Sequence, residues 1–330
     1  MGMFYNLRSG KNSKLKFYAI NFFRLIYPRF ICRARLKHLL KNTRKRADYP
    51  YIRQRVDYCN KLSSPVLLPE GSHTLKEHRY FNKEYKNASV YFFDSYEYTR
   101  WFPQHLMWNY HFGDITFIPE VPSIVKSRPV AGDNANSVIM KLNKIRHYIF
   151  VNDVIPFSEK KDMLIFRGKF SRKPKRKHFM EMYFGHPMCD LGHTGRNPDF
   201  PAIWNTPKMT IQEQLKYKFI LALEGNDVAS NLKWVMSSNS IAVMPEPEFE
   251  TWYMEGTLIP DYHYIRIKPD YSDLEERLRY YIKHEEEALE IIRHANEYTL
   301  QFRNCKREKL ISLLILQKYF EATRQLSDVK

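Results

Sequence analysis

The second half of the chain alternates short apolar runs with segments of helical pattern. Four apolar runs of strand length lie at residues 163–168, 216–227, 241–246 and 264–270. Residues 228–240 and 272–302 have the composition of helices, and Ser272 followed by Glu275 has the form of a capping box. Strands that alternate with helices in this way predict a parallel sheet with helices on both faces.

The first half contains shorter apolar runs, at residues 89–94, 114–118 and 137–150, and residues 152–162 have the pattern of a connector. The tract 111–130 is punctuated by Gly113 and three prolines. Because proline interrupts helices, this tract predicts turns and extended pieces, and we expect Asp114 to lead a strand. We find no internal repeat and no low-complexity tract.

The N-terminal segment, residues 1–47, is strongly basic. It contains 13 Lys and Arg and no acidic residue, and the first carboxylate of the chain is Asp48. Its apolar run, residues 15–27, is interrupted by Arg24 and lacks the features of a secretory signal. This pattern predicts a basic amphipathic helix on an anionic membrane surface. A helix packed on the domain with a solvated basic face is the alternative.

The composition is that of a folded protein with an excess of positive charge. Hydrophobic residues make up 44% and charged residues 27%, and 53 Lys and Arg against 36 Asp and Glu give a formal charge of +17. Such a charge favours anionic partners: nucleic acid, anionic lipid or phosphorylated substrates. No stretch reaches the about 18 apolar residues that a spanning helix needs. The four cysteines are scattered, which argues against a disulfide framework or a zinc site.

Two strand ends have the features of a phosphate site, because loops that lead from parallel strands into helices bind anions. At the first, Arg167 and Gly168 are followed by a basic stretch that continues through residue 177. The second site starts at Gly225, which allows close backbone approach, and its candidate ligands are Ser230, Asn231 and Lys233. Neither tract is a Walker or Rossmann motif. A solvated basic loop and a plain strand-to-helix corner are the alternatives.

The tract 111–130 combines carboxylates with cations. Asp114 and Glu120 supply the carboxylates, and Lys126 and Arg128 supply the positive charge. A carboxylate beside an anion-binding cluster suits a general base that acts opposite a phosphate leaving group. Asp114 as a turn or cap residue is the alternative.

Five separated tracts between residues 90 and 302 resemble glycosyltransferase family 90. They are FGD…VPSIVKSRPV, KLNKIRHYIF, LIFRGK, KFILALEGNDVASNLKW, and the tract from PEPEFETWY to SDLEERL, in the family's order. The chain is most similar to the bacterial lipopolysaccharide branch, and the fungal capsule-associated and animal protein O-glucosyltransferases share the C-terminal order.

The resemblance implies an α/β protein of the GT-B class, with two Rossmann-like domains facing across a cleft and a basic N-terminal helical arm. We expect the arm at residues 1–47, an acceptor-side domain at 48–155, a UDP-sugar-binding domain at 156–302, and a returning C-terminal helix at 303–330. The family further implies a UDP-sugar donor, inversion at the anomeric carbon and no metal or other cofactor.

The resemblance also implies roles for individual residues. The catalytic base is expected at Asp114, with Glu120 or Asp94 as alternatives, and Lys126 and Arg128 are expected near the acceptor. We expect Lys233→Ala to lower turnover far more than stability. The residues expected to hold the donor are Arg167, Gly168, Gly225, Ser230, Asn231, Lys233 and Glu248, with Glu246, Trp252 and His263 in matching family segments.

The sequence hypothesis is therefore a hexosyltransferase that acts on a lipopolysaccharide core. Its donor is UDP-glucose or UDP-galactose. Residues 1–47 hold the enzyme to the cytoplasmic side of the inner membrane of a Gram-negative bacterium. A transferase of the same fold that acts on a capsule or protein acceptor is one alternative. A basic nucleic-acid-binding protein is another, but no known nucleic-acid-binding motif supports it.

Overall fold

The structure is a computed structural model that describes residues 10–80, 88–170, 174–195, 198 and 200–326. The helices are α1 (Lys14–Ile26), α2 (Arg29–Thr43), α3 (Tyr49–Cys59), α4 (Ser89–Thr99), α5 (Lys144–His147), α6 (Pro174–Tyr183), α7 (Ile211–Gln214), α8 (Leu232–Val235), α9 (Leu274–Lys283), α10 (Glu285–Leu300) and α11 (Cys305–Ala322). The strands are β1 (His73–Thr74), β2 (Met107–Trp108), β3 (Tyr110–His111), β4 (Ser123–Val125), β5 (Ser127–Pro129), β6 (Ser137–Ile139), β7 (Lys161–Gly168), β8 (Cys189–His193), β9 (Tyr217–Leu221), β10 (Ile241–Met244), β11 (Phe249–Thr251) and β12 (Ile265–Arg266).

The chain forms two compact units, each assembled from separate segments. Unit 1 consists of residues 1–13, 146–248 and 255–301, and unit 2 consists of residues 14–145, 249–254 and 302–330. The domain boundaries given above, and the GT-B arrangement with them, stay predictions.

Unit 1 contains a five-stranded parallel sheet with the order β12-β10-β9-β7-β8. All five residues of the strand β9 are buried, and Leu164 and Ile165, which are neighbours on β7, have 0% exposure. Because successive side chains point to opposite faces, both faces of the sheet are covered. Each such side chain contributes about 1.5–3 kcal/mol through its burial. The parallel α/β sheet predicted from the second half is confirmed.

The helical tail of unit 1 differs in detail from the sequence prediction. It divides into α9 and α10 at His284, whose φ of −106° and ψ of 67° are not helical, and Lys283 and Glu285 on the two sides of the break match the dipoles of the helix ends. The predicted capping box does not form, since the Ser272 hydroxyl donates to Asp270 Oδ1 at 2.9 Å. The predicted helix at 228–240 is shortened to α8.

Unit 2 contains a three-stranded parallel sheet, β3-β4-β6, and two antiparallel pairs, β1 with β2 and β5 with β11. The apolar run at 89–94 begins the helix α4 instead of a strand. The expectation that Asp114 leads a strand is wrong, because residues 114–118 are irregular. The backbone there bonds a side chain instead of a neighbouring strand, since the Ile115 N–H donates to Ser127 Oγ at 3.3 Å.

Glu308 of α11 is the centre of a buried ionic cluster in unit 2. Its carboxylate accepts hydrogen bonds from Lys141 Nζ at 2.9 Å, from Arg55 Nη1 at 3.4 Å and from the indole nitrogen of Trp252. Arg55 and Glu308 each have 2% exposure. A buried carboxylate is tolerated only when it is paired and hydrogen-bonded, so these contacts join separate segments of the unit.

The basic N-terminal segment forms the two helices α1 and α2, separated at Pro28. Residues 1–9 lie outside the described part of the chain. Several apolar side chains of these helices face water, including Leu15 at 82% and Ile26 at 81% exposure. Among the described residues, no helix has both the length and the apolar character needed to cross a bilayer.

Candidate functional site

The carboxyl edge of the sheet in unit 1 carries the predicted phosphate loops. The strand β7 ends at Gly168, β8 ends at His193, and β9 leads through residues 222–224 to Gly225. Because these strands are parallel, their ends meet at one edge, where ligands of open α/β sheets bind. Residues 171–173 of the predicted basic stretch lie outside the described residues.

Arg176 of α6 lies at this edge and binds the end of β9. Its Nη2 donates to the carbonyl of Leu223 at 2.7 Å, and its Nε donates to the carbonyl of Glu224 at 3.1 Å. A Cβ at Gly225 would lie 3.2 Å from Arg176 Nη2, so the glycine allows the guanidinium to approach the backbone. The guanidinium carbon also lies 5.4 Å from the ring centre of Phe166.

Arg176 lies close enough to Arg146 for the two guanidiniums to repel each other. Burial and repulsion from Arg146 lower the pKa of Arg176 to about 10, while Asp227 and Glu224 oppose the shift. Arg146 is exposed, as is Lys169, which follows β7. Two guanidiniums that repel each other at the edge of a parallel sheet can bind a diphosphate.

Sequence reasoning did not select Arg146 or Arg176 as site residues. Arg176 is one of several cations after Gly168, and Arg146 lies in the tract KLNKIRHYIF, in which no residue has a predicted role. Their separation of thirty positions along the chain leaves no spacing signal that could have joined them.

Glu248 supplies an exposed carboxylate near the same edge. Its side chain is 61% exposed and pairs with Lys175 Nζ at 2.6 Å. The backbone N–H of Glu248 donates to Glu224 Oε1 at 3.1 Å, and Lys175 also lies 3.5 Å from Glu224. These contacts fix the loop after β10 while leaving the carboxylate open to the solvent, so it can accept hydrogen bonds from hydroxyl groups.

In the segment 229–235, side chains predicted to bind the donor contact other groups of the protein. Asn231 occupies the N-cap position of α8, and its Nδ2 donates to the carbonyl of Leu221 at 2.9 Å. Lys233 has 0% exposure and its ammonium pairs with Glu255, which is also buried. Ser230 precedes the helix and is partly exposed. Lys233 therefore has a structural contact in this structure, and its predicted contact with the donor stays a prediction.

Arg167 also has a protein partner. Its Nη2 lies 2.5 Å from Asp190 Oδ1, and Tyr217 donates to the other oxygen of the same carboxylate at 2.5 Å. Burial raises the pKa of Asp190, but hydrogen bonds from Tyr217 and Arg167 outweigh it and hold the pKa below its usual value. Arg167 thus links β7 to β8, and donor binding by its side chain remains a prediction.

The predicted base in unit 2, Asp114, is held by a buried ammonium. Lys126 Nζ lies 2.6 Å from Asp114 Oδ1, and the side chains of Lys126 and Asp114 are 1% and 26% exposed. The next residue, Ile115, donates its backbone N–H to Ser127 Oγ at 3.3 Å. The irregular segment is therefore fastened to β5, and the carboxylate has a fixed direction and one side open to solvent. Such a group can accept a proton from a bound hydroxyl.

Arg128 occupies a different environment. It has 0% exposure, and its guanidinium donates to Glu250 Oε1 at 2.8 Å, to the carbonyl of Tyr58 at 2.9 Å and to the carbonyl of Ser137 at 3.1 Å. These contacts hold β5 against β11 in the core of unit 2. Arg128 and the buried Lys126 serve the protein's own groups here, and binding of an acceptor anion by either stays a prediction.

The two alternative bases lie in opposite environments. Asp94 of α4 is buried, and its Oδ2 accepts from the backbone N–H of Lys144 at 2.8 Å. Burial raises the pKa of Asp94 to about 7, although Lys144 opposes the shift. Glu120 is exposed. Of the three carboxylates, Asp114 combines partial exposure with a fixed orientation.

The remaining residues that matched family segments have structural contacts. His263 Nδ1 accepts from the backbone N–H of Ile259 at 2.9 Å, and burial lowers the pKa of His263 to about 4. Glu246 pairs with Arg266 at 2.9 Å, and Trp252 is buried beside Glu308. Within the described residues, no group of three or more His, Cys, Asp or Glu side chains could hold a metal ion.

Comparison with known proteins identifies the chain. The profile of Glycosyl transferase family 90 matches residues 134–324. The chain is 38% identical over 310 residues to the O-glucosyltransferase LpsA of Dichelobacter nodosus, an alignment that covers 93% of this chain and 95% of that one. It is 27% identical over 172 residues to protein O-glucosyltransferase 3 of Rattus norvegicus, covering 51% of this chain and 33% of that one.

These similarities define the class of the protein: it is an enzyme that transfers a glycosyl group. The matched region contains the whole sheet of unit 1. The chain belongs to glycosyl transferase family 90.

Proposed function

We propose that the protein transfers glucose from UDP-glucose to a lipopolysaccharide core. The similarity to the O-glucosyltransferase LpsA, which extends over nearly the whole of both chains, carries this proposal. The name of that relative favours glucose over galactose as the transferred hexose.

The cationic edge of unit 1 is the proposed donor site. Arg146 and Arg176 bind the diphosphate of the donor, because paired guanidiniums match phosphate oxygens in charge and geometry. Gly168 and Gly225 let the backbone approach the phosphates. Glu248 accepts hydrogen bonds from the ribose hydroxyls. In this proposal Ser230 lies at the same site, and Arg167, Asn231 and Lys233 act there through their protein contacts, which support the strand ends and α8.

Asp114 is the proposed catalytic base. The acceptor oxygen forms a bond to the anomeric carbon while the bond from that carbon to the β-phosphate oxygen breaks. Asp114 takes the proton of the acceptor hydroxyl, and UDP leaves with the electron pair from the opposite face. The configuration at the anomeric carbon is therefore inverted. This mechanism goes together with a GT-B arrangement and, with guanidiniums neutralising the leaving group, requires no metal or other cofactor.

The acceptor and the location of the enzyme are linked in this proposal. A lipopolysaccharide core is anchored in the inner membrane of a Gram-negative bacterium, and the basic residues 1–47 attach the enzyme to the cytoplasmic face. Binding of nucleic acid is no part of this function. The similarity to a protein O-glucosyltransferase over half the chain supports a protein acceptor as the second candidate.

Thermal unfolding with nucleotides tests the donor. We expect UDP and UDP-glucose to raise the melting temperature in EDTA, UDP-galactose to raise it less, and GDP to have no effect. A shift that requires manganese would contradict the metal-independent mechanism. A shift from none of the nucleotides would contradict the donor site. Transfer of labelled glucose to a truncated lipopolysaccharide, against an unglycosylated acceptor protein, decides between the two acceptors.

A further inference from the structure

The N-terminal helices enclose two adjoining pockets within unit 2. The pockets have volumes of about 250 and 400 Å³, and both are lined by Arg35, Trp101 and Lys309. Phe23 of α1 and Tyr27, which follows that helix, line the first pocket, and Leu39 of α2 lines the second. These pockets involve none of the residues assigned above to the donor or to the base.

The shared wall of the pockets carries positive charge without matching acid. Lys309 Nζ lies 4.1 Å from the ring centre of Trp101, and burial lowers the pKa of Lys309, with Glu97 opposing the shift and Arg35 adding to it. Glu97 is already paired with Arg24 and with Lys144, each at 2.8 Å. In the described part of the chain, no ion pair with a carboxylate is found for Arg35 or Lys309. An anion in the pocket would neutralise both.

The junction of α1 and α2, beside the first pocket, carries apolar side chains that face water. Phe23, Ile26 and Phe30 are 66%, 81% and 65% exposed, and Phe23 lines the first pocket. Aromatic and aliphatic side chains beside Lys and Arg on a helix surface are typical of helices that lie in a membrane interface. A free phosphate ion would leave these side chains in water, whereas a lipid would cover them.

We propose that the pocket pair binds the phosphate headgroup of an anionic membrane lipid. Arg35 and Lys309 hold the phosphate, and Phe23, Ile26 and Phe30 enter the acyl region above it. This inference rests on the membrane attachment proposed above and assigns to it a site, its residues and a ligand.

Vesicle flotation tests the site. Wild-type protein is expected to float with phosphatidylglycerol-containing vesicles and to remain below with pure phosphatidylcholine. Arg35→Glu and Lys309→Glu should weaken binding at least about tenfold more than Arg33→Glu and Lys37→Glu, two exposed controls on α2 that lie outside the pockets. Equal losses in all four variants would overturn the site, because diffuse attraction to the basic surface would then explain binding.

A binding measurement with a soluble short-chain lipid distinguishes a site for a whole lipid from a site for phosphate alone. Dihexanoylphosphatidic acid below its micellar concentration should change the tryptophan fluorescence of the wild type, and Trp101→Phe should remove the change. Inorganic phosphate should need at least about a hundredfold higher concentration, since it has no apolar part. Saturation by phosphate at the same concentration would overturn the lipid assignment.

Two controls keep this inference distinct from the proposed function. Circular dichroism melting of each variant without ligand shows that the fold is retained. The UDP-induced thermal shift should be unchanged in Arg35→Glu and Lys309→Glu, because neither residue belongs to the donor site. If UDP does not shift the melting temperature of the wild type, the donor site is refuted, but vesicle binding and the lipid site are still tested independently.

Discussion

At the residue scale, similar cations in this chain have opposite environments. Lys233 is fully buried with Glu255, and Arg128 is fully buried with Glu250, whereas Arg146 is exposed. A charged side chain in the core must be paired, so it serves stability, while an exposed cation beside another cation is available to a ligand. This difference changes the expectation for Lys233 given by the sequence.

Lys233→Ala is expected to destabilise the protein by about 3–5 kcal/mol, because it leaves the Glu255 carboxylate buried without its ammonium partner. Adding Glu255→Gln should recover part of the loss. Urea unfolding measures both, with Lys268→Ala, an exposed lysine, as the control that changes little. A stable Lys233→Ala variant with greatly reduced turnover would restore a direct role for Lys233 at the leaving group.

Asp114→Asn is expected to lower turnover by about 10²–10⁴-fold, since the amide cannot take the acceptor proton. Binding of UDP-glucose should be retained. Glu120→Gln, which changes an exposed carboxylate in the same tract, should leave turnover nearly unchanged. Sugar transfer under saturating donor measures the effect. The reverse pattern, with an active Asp114→Asn and an inactive Glu120→Gln, would move the base to Glu120.

Arg146→Ala is expected to weaken UDP binding by about tenfold or more, which corresponds to the loss of one charge-assisted hydrogen bond. The variant should melt at the wild-type temperature without ligand, because Arg146 is exposed. Titration calorimetry with UDP measures the affinity, and Arg279→Ala on the exposed face of α9 is the matched control. Unchanged affinity in Arg146→Ala would exclude this arginine from the diphosphate site.

At the element scale, α4 carries a buried acid that should make stability depend on pH. The pKa of Asp94 is raised from 3.8 to about 7 by burial, with Lys144 opposing. Between these values the unfolded chain releases the Asp94 proton and the folded chain retains it. Because the unfolded state then binds fewer protons, this group lowers stability as pH rises, by at most about 1.4 kcal/mol per pH unit.

Asp94→Asn should remove this contribution to the pH dependence. The asparagine can still accept the hydrogen bond from the Lys144 backbone, so the fold should be retained. Relative to wild type, the variant should gain stability between pH 5 and pH 7, as measured by urea unfolding at the two pH values. Parallel stability curves for variant and wild type would contradict the raised pKa.

The elements of unit 1 were largely predictable from the sequence, and those of unit 2 were not. Strands β7, β9 and β10 each contain an apolar run of three or four residues, so the signal that predicts them is local. The strand β11, in contrast, pairs with β5 more than a hundred residues earlier, and each has three residues. Such short strands are stabilised by pairing with their partners, and three residues are too few to show a periodic pattern in the sequence.

The candidate site shows the same division. The positions of Gly168 at the end of β7 and of Gly225 after β9 could be predicted, because apolar runs and glycines are visible in the sequence. The pairing of Lys126 with Asp114 within one tract was close to what the sequence indicated. The partners of Lys233 and Arg128 could not be predicted, because they depend on which distant carboxylate the fold brings to each cation.

At the scale of the whole molecule, Glu308 connects distant segments of unit 2. Glu308→Gln is expected to destabilise the protein by about 3–5 kcal/mol, since Arg55 and Lys141 would lose their common counter-charge. Urea unfolding measures the change, and Glu286→Gln, an exposed glutamate of α10, is the control. Equal stability of the two variants would show that the ionic cluster adds nothing to the fold.

The assembly of unit 2 from residues 14–145, 249–254 and 302–330 has a consequence for synthesis on the ribosome. When residue 145 emerges, Arg55 and Lys141 await a carboxylate that is translated more than 160 residues later. Unit 1 can complete its sheet before that carboxylate exists, since β12 ends at Arg266. We therefore expect the segment 14–145 to complete its packing after the sheet of unit 1, and its apolar side chains to be prone to aggregation in the meantime.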